Sequence, residues 1–166
     1  CSFWPRACRC FGVLRCSSWR AVAEASRHNV PVAAHAHATE GINQAVRAGV
    51  RSIEHGSYLS DESIALMVEH GTYYVPTIYI GDYYANTNKL EESDKNDAFY
   101  RDYRESWLEM IGLAHRAGVK IVVGVDLGGY NIPPHVYARE FATLIEAGLS
   151  PMASLKAGTS VAADLL

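Results

Sequence analysis

The fold is decided by the stretch Val30-Pro31-Val32-Ala33-Ala34-His35, a short apolar run that ends in a polar side chain. The same pattern returns in Val50-Arg51-Ser52-Ile53-Glu54-His55 and in Val119-Lys120-Ile121-Val122-Val123-Gly124-Val125-Asp126. Each run is typical of a buried strand in a parallel sheet. In a barrel of parallel strands and helices the carboxyl ends of the strands converge on one face. The sequence therefore predicts an α/β barrel with a metal site at its mouth, because imidazole and carboxylate are suitable ligands for zinc, manganese or iron.

Helix signals separate the predicted strands. A helix tail over 21–28 ends before Asn29, a second helix over 41–48 stops at Gly49, and a third begins after Ser60 and ends at Gly71. A β-rich run follows over 72–80, and the polar stretch 81–97 predicts an exposed excursion. A longer helix closes at Gly118, and two more cover 135–147 and 150–166. We expect four parallel strands in chain order that end near four residues: Ala34, Glu54, Ile80 and Val125.

Length and composition limit the possible architectures. A closed eight-stranded barrel needs about 250 residues, whereas this chain has 166, so we expect a smaller fold or part of a barrel. A net charge of -3 offers no basic surface for nucleic acid. No apolar run approaches the roughly 18 residues that a membrane span requires.

The first nineteen residues differ from the rest of the sequence. All four cysteines lie there, at Cys1, Cys8, Cys10 and Cys16, and their spacing matches no usual zinc pattern. We interpret residues 1–19 as an atypical segment, truncated or out of frame, joined to a genuine domain over 20–166. Because that domain has no cysteine, the sequence favours a cytoplasmic location.

The motifs together resemble a known family. Ala34-His35-Ala36-His37 with Glu40-Gly41-Ile42, and the run from Ala48 to Gly56, resemble the fifth- and sixth-strand motifs of the amidohydrolase superfamily. The branch is that of imidazolonepropionase-like and Xaa-Pro dipeptidase-like enzymes. Residues 71–77 resemble its seventh strand, and Gly124-Val125-Asp126 its eighth. The resemblance implies the C-terminal half of a (β/α)8 barrel, strands five to eight with the helices that follow.

The resemblance also implies roles for individual residues. His35, His55 and Asp126 would bind one or two divalent ions, most readily zinc, with manganese or iron as alternatives. Asp126 and His55 would be catalytic, Asp126 as the proton acceptor and His55 as a ligand or carbonyl polariser. Four further residues would contact substrate: His37, Tyr79, Tyr83 and Arg139. A structural hydrogen bond explains His37 equally well, and an ion pair on a helix is the alternative for Arg139.

The implied activity is metal-dependent hydrolysis of an amide or peptide bond, of the Xaa-Pro dipeptidase or N-acyl amino acid hydrolase type. The substrate would be a small molecule or a dipeptide, with no nucleic acid or membrane partner, and a homo-oligomer is left open. The family's first-strand His-x-His pair and fourth-strand lysine would lie upstream of Arg20. The pair His35-Ala36-His37 is not that first-strand motif, because the residues after it resemble the continuation of the fifth strand. We therefore expect the isolated chain to be an inactive fragment. The alternative interpretation is a non-catalytic partial barrel that serves in packing or interaction.

Overall fold

The computed structural model describes residues 14–87, 94–126 and 133–166. The first half of this structure alternates helix and strand: α1 (Leu14–Arg27), β1 (Ala33–Ala36), α2 (Thr39–Ala48), β2 (Ser52–His55), α3 (Asp61–His70) and β3 (Tyr73–Val75). The second half is helical: α4 (Tyr79–Thr87), α5 (Asp94–Ala117), a 3-10 helix (Pro134–Ala138), α6 (Arg139–Glu146), α7 (Pro151–Ala157) and α8 (Ser160–Leu165). The predicted α/β class is therefore confirmed.

Three parallel strands form the sheet within the described residues, in the order β1-β2-β3. The segment predicted as the fourth strand lies beside β3, but it makes only one bridge, between Tyr74 and Ile121. Gly124 permits this approach, because a Cβ atom there would lie 2.3 Å from a methyl carbon of Val75. The predicted chain order is confirmed, whereas a full fourth strand ending near Val125 is not formed.

The predicted end of the third strand was wrong. The third strand stops at Val75 rather than near Ile80, because α4 already begins at Tyr79. The polar stretch predicted as an exposed excursion is helical from Gly81 to Thr87 and again from Asp94. Residues 88–93 of that prediction lie outside the described residues. Helix α4 is tied to its neighbours by Arg104 of α5, which is paired with Asp82 at 2.5 Å and with Glu146 of α6 at 2.6 Å.

Several predicted helix ends are confirmed, but the helix predicted over 135–147 starts as a 3-10 helix, Pro134–Ala138, and becomes α-helical only at Arg139. The hydroxyls of Ser60 and Ser150 accept the N–H groups of Ser63 and Ala153, as N-caps do. Asn29 takes the predicted left-handed conformation with φ 53°. The predicted last helix is two helices, α7 and α8, separated at Gly158 and Thr159. Helix α1 extends across the proposed boundary at residue 19, and the two-part division of the chain stays a prediction.

Hydrophobic side chains fill both faces of the sheet. The larger core lies between the sheet and the helices and includes Ile53, Tyr74 and Ile111. On the other face Tyr73, Val75 and Val122 are covered by side chains of α8. Within the described part of the chain, no helix is long and apolar enough to cross a membrane. Because both faces of the sheet are packed, the strands hold the side chains at their carboxyl ends in fixed positions.

Candidate metal centre

The first two histidines stand at the end of β1. His35 lies within the strand and is exposed, and His37 follows it by two residues and is half-buried. Their ring centroids are 4.8 Å apart. The Nδ1 atom of His37 lies 2.8 Å from the hydroxyl of Ser57, a buried residue in the loop after β2. The loop is held against the end of β1, because the N–H of Tyr58 donates to the carbonyl of His37.

The third histidine, His55, ends the neighbouring strand β2 and is only 8% exposed. Its ring centroid lies 4.5 Å from that of His35 and 4.9 Å from that of His37. One ring nitrogen from each of the three histidines lies within 4.8 Å of the corresponding nitrogens of the other two. We call His35, His37 and His55 the histidine cluster.

The charge state of the cluster suits a metal ion. Burial and, to a smaller extent, the neighbouring His55 and His35 together lower the pKa of His37 to about 4, against the opposing effect of Asp126. Burial also lowers the pKa of His55, aided by His35 and opposed by Asp126. Both imidazoles are therefore neutral at pH 7, and a neutral imidazole offers the lone pair that a metal ion requires.

The orientation of His55 is fixed from two sides. Its Nδ1 atom lies 2.6 Å from the hydroxyl of Thr77, just beyond β3. Its backbone carbonyl accepts the hydroxyl proton of Tyr74 at 3.0 Å, and that hydroxyl in turn accepts the indole N–H of Trp107 at 2.9 Å. A metal-binding histidine is commonly held through its second nitrogen in this way.

Asp126 stands at the end of the extended segment beside β3, with an exposed side chain and a φ of 48°. Its charge raises the pKa of His37, His55 and Glu54, so its carboxylate lies near these groups at the carboxyl edge of the sheet. Asp126 is not among the residues whose ligand atoms all lie within 4.8 Å of one another; those are His35, His37 and His55. Glu54 accepts the hydroxyl of Ser52 at 2.6 Å, and burial raises its pKa.

The predicted substrate residues are spread over two helices. Tyr79 and Tyr83 are half-buried on α4, and Arg139 is exposed at the first position of α6. His37, also predicted to contact substrate, lies in the histidine cluster beside two of the predicted ligands, His35 and His55. The roles assigned to His35, His37, His55 and Asp126 and to these three residues stay predictions.

The sequence analysis did not identify three residues that hold the site by hydrogen bonds: Ser57, Thr77 and Glu140. Ser57 and Thr77 hold cluster histidines by their side chains. Glu140 is fully buried and accepts the N–H groups of Ile78 at 3.1 Å and Tyr79 at 2.8 Å. A signal for Glu140 existed, because it shares the buried stripe of α6 with Thr143 and Leu144 at helical spacing.

Imidazoles gathered at the carboxyl ends of parallel strands are typical of α/β barrel enzymes with metal centres. The chain belongs to the amidohydrolase family, which its residues 19–166 match. The donors also fit a divalent ion, since two nitrogens bound to one tetrahedral zinc lie about 3.4 Å apart. The ligand atoms of the histidine cluster lie within 4.8 Å of one another, so small rotations of the imidazole rings would bring them to that separation.

Individual relatives agree with this assignment. The chain is 34% identical to the ochratoxinase of Aspergillus niger over 140 residues, which cover 84% of this chain and 28% of that protein. The crystal structure of a Xaa-Pro dipeptidase with bound methionine superposes with a TM-score of 0.77 at 32% identity, over 91% of this chain and 37% of that one. A prolidase in complex with N-methylphosphonate-L-proline gives a TM-score of 0.75 at 31% identity, over 91% and 36%. The chain thus spans about a third of the length of these relatives.

Proposed function

We propose that this chain supplies the C-terminal half of the active site of a metal-dependent hydrolase that cleaves amide or peptide bonds. The observation that carries the proposal is the convergence of His35, His37 and His55, from two neighbouring strands, into one group of imidazoles. Family membership and the Xaa-Pro dipeptidase, prolidase and ochratoxinase relatives support it. The substrate we propose is a small amide, either a dipeptide or an N-acyl amino acid.

His35, His55 and Asp126 would hold the ion, most readily zinc, and His37 stands close enough to replace or assist one of them. A bound divalent ion would make water a stronger nucleophile at neutral pH and polarise the scissile carbonyl. A carboxylate oxygen of Asp126 would accept a proton from the attacking water and deliver it to the leaving nitrogen. Tyr79, Tyr83 and Arg139 would bind the substrate by hydrogen bonds and charge. A cytoplasmic location remains part of the proposal.

Metal binding by the purified chain tests the proposal directly. After removal of metal by a chelator, zinc and then manganese are titrated into the protein and the heat of binding is measured. We expect one saturable site in the wild-type chain and a loss of affinity of at least about tenfold in His35→Ala and His55→Ala. Asp126→Asn should weaken binding too, because it removes a charged donor.

His70→Ala is the matched control, because His70 is an exposed histidine at the end of α3. Its affinity should equal that of the wild-type chain. A folded wild-type chain that binds neither ion would overturn the proposal and favour a non-catalytic packing or interaction module. Equal losses in His70→Ala and His55→Ala would have the same consequence, since binding would then be nonspecific.

A further inference from the structure

Thr77 has a backbone conformation that threonine rarely adopts. Its φ is 52°, in the left-handed region, although its side chain is branched at Cβ. Such a conformation is strained for a side chain branched at Cβ and persists only where the surrounding structure enforces it. The residue is 3% exposed and follows directly after Pro76, so solvent does not determine its conformation. Contacts within the fold must therefore hold Thr77 in this backbone conformation.

The hydrogen bonds of the Thr77 hydroxyl are among these contacts. The hydroxyl has one proton, which it donates to the carbonyl of Pro76 at 2.7 Å. Toward His55 it can then act only as an acceptor, so the contact of 2.6 Å requires a proton on Nδ1 of the imidazole. A neutral imidazole carries one proton, and Nε2 is therefore left with its lone pair. Thr77 thus selects one of the two tautomers of His55.

The surroundings of Thr77 keep it in place. Its methyl carbon faces Gly124, where an added Cβ would lie only 3.2 Å away. On the other side, the buried carboxylate of Glu140 accepts the backbone N–H groups of Ile78 and Tyr79, the next two residues in the chain. Glu140 therefore holds the backbone that follows Thr77. Rotation of the Thr77 side chain would break the hydrogen bond to Pro76 and move the methyl group away from Gly124.

We propose that Thr77 is a positioning residue that holds His55 in the Nδ1-protonated tautomer and so leaves Nε2 as the nitrogen that binds a metal ion. The metal-binding part of this inference rests on the function proposed above. The tautomer part does not, because it concerns the metal-free protein. The two parts are therefore tested by separate measurements.

The test uses the metal-free 166-residue chain labelled with nitrogen-15. Two-bond proton–nitrogen correlation spectra at neutral pH distinguish protonated from unprotonated ring nitrogens, and the signals of His55 are assigned by their loss in His55→Ala. We expect Nδ1 to be protonated and Nε2 unprotonated in the wild-type chain. Thr77→Val keeps the branched shape without the hydroxyl and should mix or reverse the tautomers, whereas Thr77→Ser should restore the wild-type pattern.

Thr72→Val is the matched control, because Thr72 is a buried threonine just before β3 whose hydroxyl donates to Val50 at 3.3 Å. It loses a hydroxyl of the same kind but should leave the His55 signals unchanged. Thr77→Ala removes the branched side chain as well and provides a second hydroxyl-free variant if Thr77→Val does not fold. Circular dichroism checks that each variant is folded.

Zinc titration of the same variants adds the second readout. We expect Thr77→Val to bind zinc about 10- to 100-fold more weakly, the range for loss of a partner of a metal-bound histidine. A proton on Nε2 in the wild-type chain, or unchanged tautomers in the folded hydroxyl-free variants, would overturn the proposal. The expected tautomers in a chain that binds no zinc would support the positioning role and overturn the proposed function instead.

Discussion

The imidazole rings of His35 and His55 lie 4.5 Å apart, although the register of the sheet pairs His35 with Glu54 and His55 with Ala36. Paired residues of a parallel sheet project to the same face, and successive residues alternate between faces. Regular strand geometry would therefore separate the two rings. The φ of His55, 70°, interrupts the extended conformation at that residue, which lets its ring meet His35.

We expect Gly56→Ala to disturb this arrangement. Gly56 has a φ of 56°, and an added Cβ would lie 2.6 Å from the buried ring of Tyr74. The substitution should lower the free energy of unfolding by about 2 kcal/mol or more, because it combines backbone strain with overpacking. Zinc affinity should fall as well, since Tyr74 holds the carbonyl of His55. Urea denaturation and zinc titration measure the two effects.

Gly41→Ala is the control for that substitution. Gly41 lies in α2, and a Cβ there would meet no atom within 4 Å. The change should be neutral or stabilise the protein by up to about 1 kcal/mol, as expected for alanine in a helix. If Gly56→Ala unfolds at the same urea concentration as the wild-type chain, the described geometry around His55 is wrong.

Two adjacent tyrosines of β3 should separate stability from metal binding. The hydroxyl of Tyr73 contacts Asp164 of α8 and accepts from Lys120 at 3.0 Å, at the end of the sheet away from the histidine cluster. Tyr73→Phe should lower the free energy of unfolding by about 1 kcal/mol and leave zinc affinity unchanged. Tyr74→Phe should reduce both, because its hydroxyl joins Trp107 to the carbonyl of His55. Equal zinc affinities in the two variants would contradict this division.

The periodic parts of the fold could be predicted from the sequence, because they depend on neighbours in the chain. Ser60, Ser150 and Asn29 act at helix ends through local hydrogen bonds and backbone conformation, and all three behave as predicted. The predicted end of β3 was wrong because the start of α4 depends on a residue far away in the chain. Tyr79 and Ile80 have side chains typical of strands, but the buried Glu140, 61 positions away from Tyr79, holds the N–H groups at the start of α4.

The same distinction between local and distant contacts holds for the candidate site. Strand-end placement was enough to select His35 and His55, which the structure brings together. Thr77 could not be selected, because its importance depends on one hydroxyl contact across 22 positions of the chain and on a positive φ that threonine does not favour. For His37, strand alternation left substrate contact and a structural hydrogen bond open, because it does not show that the His37 ring lies 4.9 Å from that of His55.

The stability of the chain should depend on pH through Glu140. Burial, aided by the nearby Asp82, raises the pKa of this carboxyl from 4.5 to about 7, against the two backbone N–H groups, which lower it. The folded chain therefore holds the proton more tightly than the unfolded chain, and stability is lost as the pH rises from about 4.5 through about 7. The loss should approach about 3 kcal/mol in total.

Glu140→Gln is the comparison that isolates this effect, because glutamine does not titrate. Urea midpoints are measured for both proteins at intervals from about pH 5 to about pH 8. The stability of the wild-type chain relative to Glu140→Gln should fall across that interval and level off above it. A difference that stays constant, or that rises with pH, would show that Glu140 does not retain its proton in the folded chain.

The last prediction concerns catalysis by the chain alone. Within the described residues β1 pairs only with β2, and His35 is exposed at that edge of the sheet. An open strand edge favours pairing with another chain, and an open metal site admits water and other ligands in place of a positioned substrate. We therefore expect no measurable hydrolysis of dipeptides or N-acyl amino acids by the chain alone with zinc or manganese.

Activity should appear when the chain is mixed with the N-terminal part of a related Xaa-Pro dipeptidase, and Asp126→Asn should abolish it. Robust turnover by the chain alone, lost in Asp126→Asn, would refute the inactive-fragment prediction while supporting the hydrolase assignment; no turnover in the mixture, despite complex formation, would count against the hydrolase assignment.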